Sequence, residues 1–298
     1  MVTKLTRNPF KTLRKFFIWL VASSFALAGV GCRRTEGPRC PNSGPPPEAR
    51  RLIEEALQEF RFNFPQVRPP GSVKIPVYFH ILTSSDGKEG RVSPDAIQLQ
   101  IRVLNAAFAG NYGAGAATPF TFEYVATDTE ANDTWFKMQY EDNATAEERA
   151  AKAKLNKGGK GALNIYTAKV EGDILGWGRF PWNYSEGVDG VVVRYTTLPG
   201  GIEYPNNEGD TATHEVGHWL GLFHTYEGNC GPPGDSVDDT PPGKDPAKGC
   251  PNHWDSCPQI QFPDAVHNYM NATNDQCMNQ FTRDQSSRMD GMHLLHRT

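Results

Sequence analysis

Three histidines and one glutamate within residues 214–224 have the types and spacing of a hydrolytic metal site. His214 and His218 are four residues apart, so on a helix their imidazoles lie one turn apart on the same face and can bind one metal ion. Gly221 can adopt the left-handed conformation that ends a helix, and the turn that follows brings in His224 as a third ligand. Three neutral imidazoles leave one position of a tetrahedral zinc ion open, which is the arrangement of a catalytic site.

Glu215 follows the first histidine directly and is therefore expected to lie beside the metal ion rather than on it. Its carboxylate can accept a proton from metal-bound water, which ionises near neutral pH, and so can act as general base. The alternative is an amphipathic helix that carries histidines by chance, but five specified residues in the order HExxHxxGxxH argue against it. The motif predicts zinc-dependent hydrolysis.

The motif resembles the signature of the metzincin metallopeptidases, in which a methionine turn follows it. Further segments within residues 74–289 are similar, in chain order, to the pappalysin family of secreted zinc endopeptidases. They are IPVYFHIL, LNIYTAKV, GVVVRYTTLPGG, THEVGHWLGLFHTYEGNC, GDSVDDTP, GCP, DSCP and HNYM with DQCMNQFTRDQSSRM. This resemblance implies an endopeptidase that cleaves proteins or peptides, with an α/β (α+β) fold of two lobes. It also implies a mixed twisted sheet that carries the active-site helix, followed by a loop-rich lobe cross-linked by disulfides.

Alternating strands and helices precede the motif, as an α/β lobe requires. The hydrophobic patterns predict strands at 73–82, 120–125, 162–167 and 190–194. They predict helices at 48–60, from Ser93 and Pro94 to Phe108, and at 145–155. Thr282 and Gln285 form a capping box that predicts the start of a last helix.

Residues 1–31 predict an export signal, because they hold five basic residues, no acidic ones and then an apolar run from 16 to 31. Two cleavage sites remain open: one after small residues, and one before Cys32, which would then be lipidated. We interpret residues 32–71 as a pro-segment or linker and residues 72–298 as the catalytic domain. The protein is expected to be secreted, or anchored to the cell surface or outer membrane.

The charge balance limits the partners. Without the five basic residues of the signal, the formal net charge changes from -4 to -9. An acidic protein is a poor ligand for nucleic acid or anionic lipid, so we expect a membrane contact only through a lipid anchor at Cys32.

Four cysteines in the C-terminal part are an even set in an exported chain: Cys230, Cys250, Cys257 and Cys277. Disulfides are the expected state and zinc binding the alternative, and four cysteines allow three pairings. The family resemblance implies the pairs Cys230 with Cys257 and Cys250 with Cys277.

A calcium site is a second expectation for this part of the chain. Several oxygen ligands fall in one short, proline-rich loop: Asp235, Asp238, Asp239 and Thr240. The family's similar GDSVDDTP segment supports Ca²⁺ as a cofactor beside Zn²⁺, and the alternative is a solvated acidic loop.

Met270 in HNYM matches the methionine turn, whose thioether is expected to lie beneath the zinc-binding histidines. Two residues later many pappalysins have a tyrosine that can donate to the developing oxyanion, whereas this chain has Ala272. Loss of one such donor can lower turnover on the order of a hundredfold. The alternative function is therefore a zinc-binding surface protein with little or no hydrolytic activity, against which the presence of Glu215 argues.

Cys40 is left without a downstream partner once the other four cysteines pair with one another. Its surroundings, RCPNSGPPPEA, resemble the cysteine-containing pro-segment motif of some pappalysins, in which a thiolate occupies the open position of zinc and keeps the enzyme latent. Two alternatives stay open: Cys40 pairs with Cys32, or it is a free thiol in a tether.

Overall fold

The computed structural model describes residues 39–298, with only the backbone described for residues 184–186. The predicted signal peptide and Cys32 lie outside the described residues. Within this part of the chain, no helix has both the length and the apolar character needed to cross a membrane.

A five-stranded mixed sheet forms the first lobe. Its strands are β1 (Val73–Thr83), β2 (Phe120–Ala131), β3 (Leu163–Ala168), β4 (Gly176–Gly178) and β5 (Val191–Arg194). The order is β2-β1-β3-β5-β4, and β4 runs antiparallel to β5 while the other pairs are parallel. The four predicted strands are confirmed. The short strand β4 was not predicted, because three residues with two glycines show no alternation of apolar and polar side chains.

Six α-helices lie in the described residues. They are α1 (Pro47–Asn63), α2 (Pro94–Phe108), α3 (Asp133–Phe136), α4 (Ala146–Leu155), α5 (Asp210–Trp219) and α6 (Arg283–His296). Their starts follow from capping chemistry, because Ser93 and Thr145 accept hydrogen bonds from backbone N–H groups three residues on. The capping box of Thr282 and Gln285 is confirmed at the start of α6.

Helices α2 and α5 pack together on one face of the sheet, and this packing positions the metal motif. Leu104 of α2 and Val216 of α5 are fully buried in the same apolar cluster as Val193 of β5. The other face is covered by α4, with Trp177 of β4 in a second cluster. Every residue of α5 is buried. An isolated helix of ten residues would be only marginally stable, so packing stabilises α5.

The second lobe, from residue 220 to the start of α6, is built from loops, and its only helix among the described residues is the 3₁₀ turn Asp275–Cys277. Two disulfides cross-link it, Cys230 with Cys257 and Cys250 with Cys277, as the family resemblance implies. Such cross-links reduce the conformational freedom of an unfolded chain, which compensates for the small number of backbone hydrogen bonds in loops. The mixed α/β fold with a loop-rich, disulfide-linked C-terminal lobe is confirmed.

The N-terminal segment 39–63 packs against the catalytic lobes. Ile53 and Leu57 of α1 are buried against Met292 of α6. Arg288 of α6 donates two hydrogen bonds, of 2.7 and 2.6 Å, to the carboxylate of Glu54. A two-point contact between guanidinium and carboxylate fixes the orientation of α1 on the domain.

Candidate metal centre

Helix α5 and the turn after it bring three histidines to one point. Trp219 is the last residue of the helix, and Gly221 has a φ of 94°, the left-handed conformation expected at this position. A side chain there would meet Met292, because an added Cβ would lie 2.7 Å from its Cγ. The tight turn returns the chain, so that His224 faces His214 and His218.

The three Nε2 atoms form an equilateral triangle with sides of 3.1 Å. Nitrogens around one tetrahedral zinc ion, each about 2.0–2.1 Å from it, are about 3.3 Å apart, so the triangle fits one shared ion. The other nitrogens of two rings are occupied: Nδ1 of His214 is 2.6 Å from the Tyr269 carbonyl and that of His218 is 2.7 Å from the Leu222 carbonyl. Both contacts assign the proton to Nδ1 and leave Nε2 free to bind metal.

Burial keeps these imidazoles neutral. It lowers the pKa of His214 to about 4 and the pKa values of His218 and His224 well below the ordinary value. A neutral imidazole is the form that binds a metal ion. The residues present therefore fit a zinc ion.

Cys40 completes this cluster from the N-terminal segment. Its Sγ and the three imidazole nitrogens all lie within 4.8 Å of one another. The thiol also donates a hydrogen bond to Oε2 of Glu215 across 3.4 Å. Cys40 is buried and is the free cysteine among the described residues. The alternative pairing with Cys32 involves a residue that lies outside them. One thiolate and three imidazoles make a closed tetrahedral zinc set.

Glu215 is buried beside the cluster, against strand β4. Burial raises its pKa well above the ordinary value, while hydrogen bonds from Cys40 and the Gly178 backbone act in the opposite direction. Glycine is required at position 178, because an added Cβ would lie 2.4 Å from the Glu215 carbonyl oxygen. The glycines of β4 thus let this strand approach the helix that carries the carboxylate.

Met270, the residue predicted for the methionine turn, packs against the helix that carries His214 and His218. Its Sδ contacts Gly217 of α5 so closely that an added Cβ there would lie 2.4 Å from the sulfur. Its backbone oxygen accepts a hydrogen bond from Thr225, next to His224. Two residues after it, Ala272 lines the cavity beside His214 and Glu215.

This cavity is acidic. Its lining residues are far apart in the chain, so the sequence did not indicate that they form one cavity. Asp275 accepts hydrogen bonds at Oδ2 from the backbone N–H groups of Glu208, Gly209 and Asp210, and its Oδ1 has no partner among the described residues. Burial raises the pKa values of both Asp210 and Asp275. The negative charge of Asp275 raises the pKa of Asp210 further.

Arg39 lines this acidic cavity, and its guanidinium donates hydrogen bonds to the Thr273 carbonyl and to Oδ1 of Asn274. Burial lowers the pKa of its guanidinium, and the charge of Asp275 opposes that effect. Arg39 is therefore the basic group that the N-terminal segment supplies to a cavity with two buried carboxyl groups.

The four residues of the expected calcium loop are only partly brought together. Thr240 donates to the Asp235 carboxylate, whose oxygens lie 2.8 Å from the hydroxyl, and burial raises the pKa of Asp235 to about 7. Asp239 accepts a hydrogen bond from the backbone of Asp284 at the start of α6, and Asp238 is exposed. The calcium site stays a prediction.

Comparison with known proteins decides the family. The family model described as pregnancy-associated plasma protein-A, of the M43 peptidases, matches residues 179–293. Extracellular metalloprotease 1 of Coccidioides posadasii is 40% identical over 263 residues, which cover 86% of this chain and 89% of that protein. The chain belongs to the pappalysin family. An extracellular metalloprotease of Arthroderma gypseum is 37% identical over 285 residues, covering 92% of this chain and 89% of the relative.

Two solved structures share the pappalysin fold. A promirolysin mutant of Tannerella forsythia has a TM-score of 0.68 and 24% identity, and the match covers 87% of this chain and 94% of that one. Mature mirolysin of Tannerella forsythia in complex with a cleaved peptide has a TM-score of 0.62 and 25% identity, with coverages of 76% and 97%. The family membership and these relatives show that the chain is a metalloprotease.

Several site residues carry no local sequence signal. Arg39 and Asp275 are 236 positions apart, so their shared cavity could not be expected from spacing. Tyr226, two residues after His224, stacks on that imidazole with ring centroids 4.6 Å apart. The sequence indicated this contact only by an aromatic residue at the second position after the last histidine.

Proposed function

We propose that this pappalysin is a zinc endopeptidase in which His214, His218 and His224 hold the metal ion and Glu215 is the general base. The observation that carries the proposal is the triangle of Nε2 atoms, 3.1 Å on each side, together with the buried carboxylate of Glu215, which follows His214 in the helix. When bound, zinc supplies a Lewis acid that polarises the scissile carbonyl and lowers the pKa of water.

Glu215 moves the protons of the reaction. Its carboxylate accepts a proton from the attacking water, whose oxygen forms a bond to the carbonyl carbon. The carboxyl group then donates that proton to the amine nitrogen as the carbon–nitrogen bond breaks, which gives a carboxylic acid and an amine. Burial favours this exchange, because a raised pKa brings the carboxyl group nearer to the pH at which it must both accept and donate.

The N-terminal segment keeps the enzyme latent in our proposal. Cys40 supplies a soft fourth ligand and contacts Glu215, so it occupies the open metal position and covers the base. The match to the pro-form of mirolysin covers 87% of this chain, and the match to the mature form covers 76%. This difference supports a pro-segment in the region before the catalytic domain. Cleavage between Cys40 and Ser72 would release it.

The acidic cavity favours substrates with a basic side chain next to the scissile bond. Asp210 and Asp275 line the same cavity as His214 and Glu215, and Arg39 of the N-terminal segment lines it too. Once the segment leaves, the two buried carboxyl groups have no basic partner there. An arginine or lysine of a substrate would take the place of Arg39.

Export from the cell completes the proposal. The relatives are named extracellular metalloproteases, and residues 1–31 have the composition of a signal peptide. A lipid anchor at Cys32 would hold the protein at the cell surface. Calcium bound at Asp235 and Thr240 would stabilise the second lobe.

A second candidate is a zinc-binding surface protein with little hydrolysis, which Ala272 favours. Purification of the form that starts at Ser72, a zinc determination and cleavage of a peptide library separate the two. The endopeptidase should contain one zinc ion and cut internal peptide bonds, faster before arginine than before citrulline of the same shape. Zinc at full occupancy without cleavage would support the surface protein instead.

A further inference from the structure

Helix α1 packs in an apolar groove of the catalytic domain. Ile53 and Leu57 of the helix are buried against Met292, and the partly buried side chains of Trp182 and Leu295 pack against the same cluster. We call the surface formed by Trp182, Met292 and Leu295 the α6 groove. It fits the apolar face of a short amphipathic helix, which is a common mode of peptide recognition. Without α1 this apolar surface would lie open to water.

A buried cation adjoins the α6 groove. Arg288 lies one helical turn before Met292 and is only 1% exposed. It donates to the Gly221 carbonyl across 2.9 Å and forms an ion pair with Glu54 of α1. Removal of the carboxylate from a buried ion pair is costly, because the cation is left without compensation. The catalytic domain therefore keeps an affinity for a helix that carries an acidic residue at this position.

Arg50, near the start of α1, contacts the chain around the metal turn. Its guanidinium carbon lies 4.5 Å from the centroid of the Phe223 ring, and its Nε donates to the Ser236 hydroxyl across 3.2 Å. The Phe223 ring also contacts the Arg288 guanidinium, at 4.9 Å. The α1 residues that make these contacts are three and four positions apart and so share one face of the helix: Arg50, Ile53, Glu54 and Leu57.

The most exposed part of the N-terminal segment follows these contacts in the chain. Residues 62–67 are the longest exposed run between residues 39 and 72, and Phe62 is 87% exposed. Exposed connections of this kind are preferred sites of proteolysis. A cut there leaves Cys40 and the contacting face of α1 on one fragment and breaks none of their contacts. It changes an intramolecular contact into one between two molecules.

We propose that the α6 groove is a binding site for the released segment, which therefore inhibits the mature enzyme in trans. The proposal rests on the proposed peptidase function and extends its latency. Helix α1 supplies affinity through the groove and Arg288, and Cys40 blocks the metal centre. One cut is then necessary for activity but not sufficient, because the segment must also dissociate, and dissociation depends on concentration.

A single cut followed by dilution tests this dependence. A recognition sequence for a site-specific protease, inserted after Phe64, allows the form that starts at Cys32 to be cut once in the exposed run. The two fragments should coelute at about 10 µM, and activity per molecule should rise at least about tenfold on dilution to about 10 nM. The uncut protein is the control, since dilution cannot separate its parts. Separate elution with full activity at both concentrations would overturn the proposal.

Gly291 of α6 tests the surface itself. An added Cβ there would lie 2.5 Å from Cδ1 of Leu57, and the other two nearest atoms also belong to the segment. The form of Gly291→Ala that starts at Ser72 should cleave peptides like wild type, because alanine suits a helix interior. It should bind a fluorescent peptide of residues 39–64 on the order of tenfold more weakly, as measured by anisotropy. Leu57→Ala in the peptide should remove this difference, because it leaves room for the added methyl group.

Three further peptides separate docking from inhibition. Glu54→Gln should weaken binding at least about tenfold, and Glu59→Gln, at an exposed position of the same helix, should leave binding unchanged. Cys40→Ala should still bind the α6 groove but should no longer inhibit. Equal binding of the wild-type peptide to wild type and to Gly291→Ala would overturn the proposal, and so would loss of all binding in the Cys40→Ala peptide.

Binding is measured without substrate, so the two proposals fail in different ways. A form starting at Ser72 that binds the peptide through the α6 groove but cleaves no substrate would refute the peptidase function and retain the binding site. A form that cleaves substrates at an equal rate with and without an excess of the peptide would retain the peptidase function and refute inhibition in trans.

Discussion

The thiol of Cys40 lies 3.4 Å from the carboxylate of Glu215, to which it donates a hydrogen bond. These residues are 175 positions apart, and the contact joins the N-terminal segment to the helix that carries the metal motif. The same sulfur atom lies within 4.8 Å of the three imidazole nitrogens. One side chain thus covers both the base and the open metal position.

Replacement of Cys40 by alanine should activate the uncut protein. The wild-type form that starts at Cys32 should be inactive until it is cut between Cys40 and Ser72, because the thiolate is a strong fourth ligand for zinc. Cys40→Ser is the matched variant, because it keeps the size of the side chain but loses the soft ligand, so it should be active uncut as well. Peptide cleavage by zinc-loaded, uncut proteins measures the effect. Equal activity of wild type and Cys40→Ala would rule out the switch and leave this segment as a linker.

Glu215→Ala should keep zinc and lose cleavage, because the base is not a metal ligand. General base catalysis contributes about 10²–10⁴-fold, so kcat should fall by at least a hundredfold at unchanged zinc content. His224→Ala should behave in the opposite way and lose zinc on dialysis. Activity of the first variant within a few-fold of wild type would refute the mechanism. Stoichiometric zinc in the second would refute the third-ligand assignment.

Calcium should raise the midpoint of thermal unfolding if the loop at Asp235 binds it. The buried carboxylate lies beside Thr240 in a lobe made of loops, where a bound cation would add direct cross-links. Asp235→Asn should abolish the increase, and Asp173→Asn, at an exposed position, should retain it. Identical responses of the three proteins to millimolar calcium would leave the loop as a solvated acidic turn.

Glu148→Gln should destabilise the first lobe, because the Glu148 carboxylate is buried between Lys152 and Arg179. Its burial alone would raise the pKa, but these two cations overcome that effect and lower it from 4.5 to about 2. Removal of one partner from a buried ion pair costs about 3–5 kcal/mol. The free energy of unfolding in urea at pH 7 measures the loss, and Glu147→Gln should stay within about 0.5 kcal/mol of wild type.

The sign of this pKa shift also predicts a pH dependence. A carboxyl group with a depressed pKa in the folded state contributes its stabilisation above the unfolded value, near pH 4.5, and loses it as the pH falls towards 2. The difference in stability between wild type and Glu148→Gln should therefore narrow on acidification across that range. A difference that stays constant from pH 7 to pH 3 would contradict the assignment.

The metal motif could be predicted from the sequence because its geometry is local. A four-residue spacing on a helix and a glycine that permits a left-handed turn bring His214, His218 and His224 together within eleven consecutive residues. The same holds for the capping box of Thr282 and Gln285 and for the strands with clear apolar patterns. Family resemblance added the disulfide pairing, which the residues alone left open among three possibilities.

Only the tertiary structure decided what surrounds the metal centre. Strand β4 carries two glycines and no alternating pattern, yet its close approach to Glu215 depends on them. The acidic cavity combines Asp210 with Asp275, and the ring of Tyr226 stacks on the His224 imidazole because the chain turns after His224. Contacts between residues far apart in the chain depend on packing of the whole domain, and local periodicity carries no record of them.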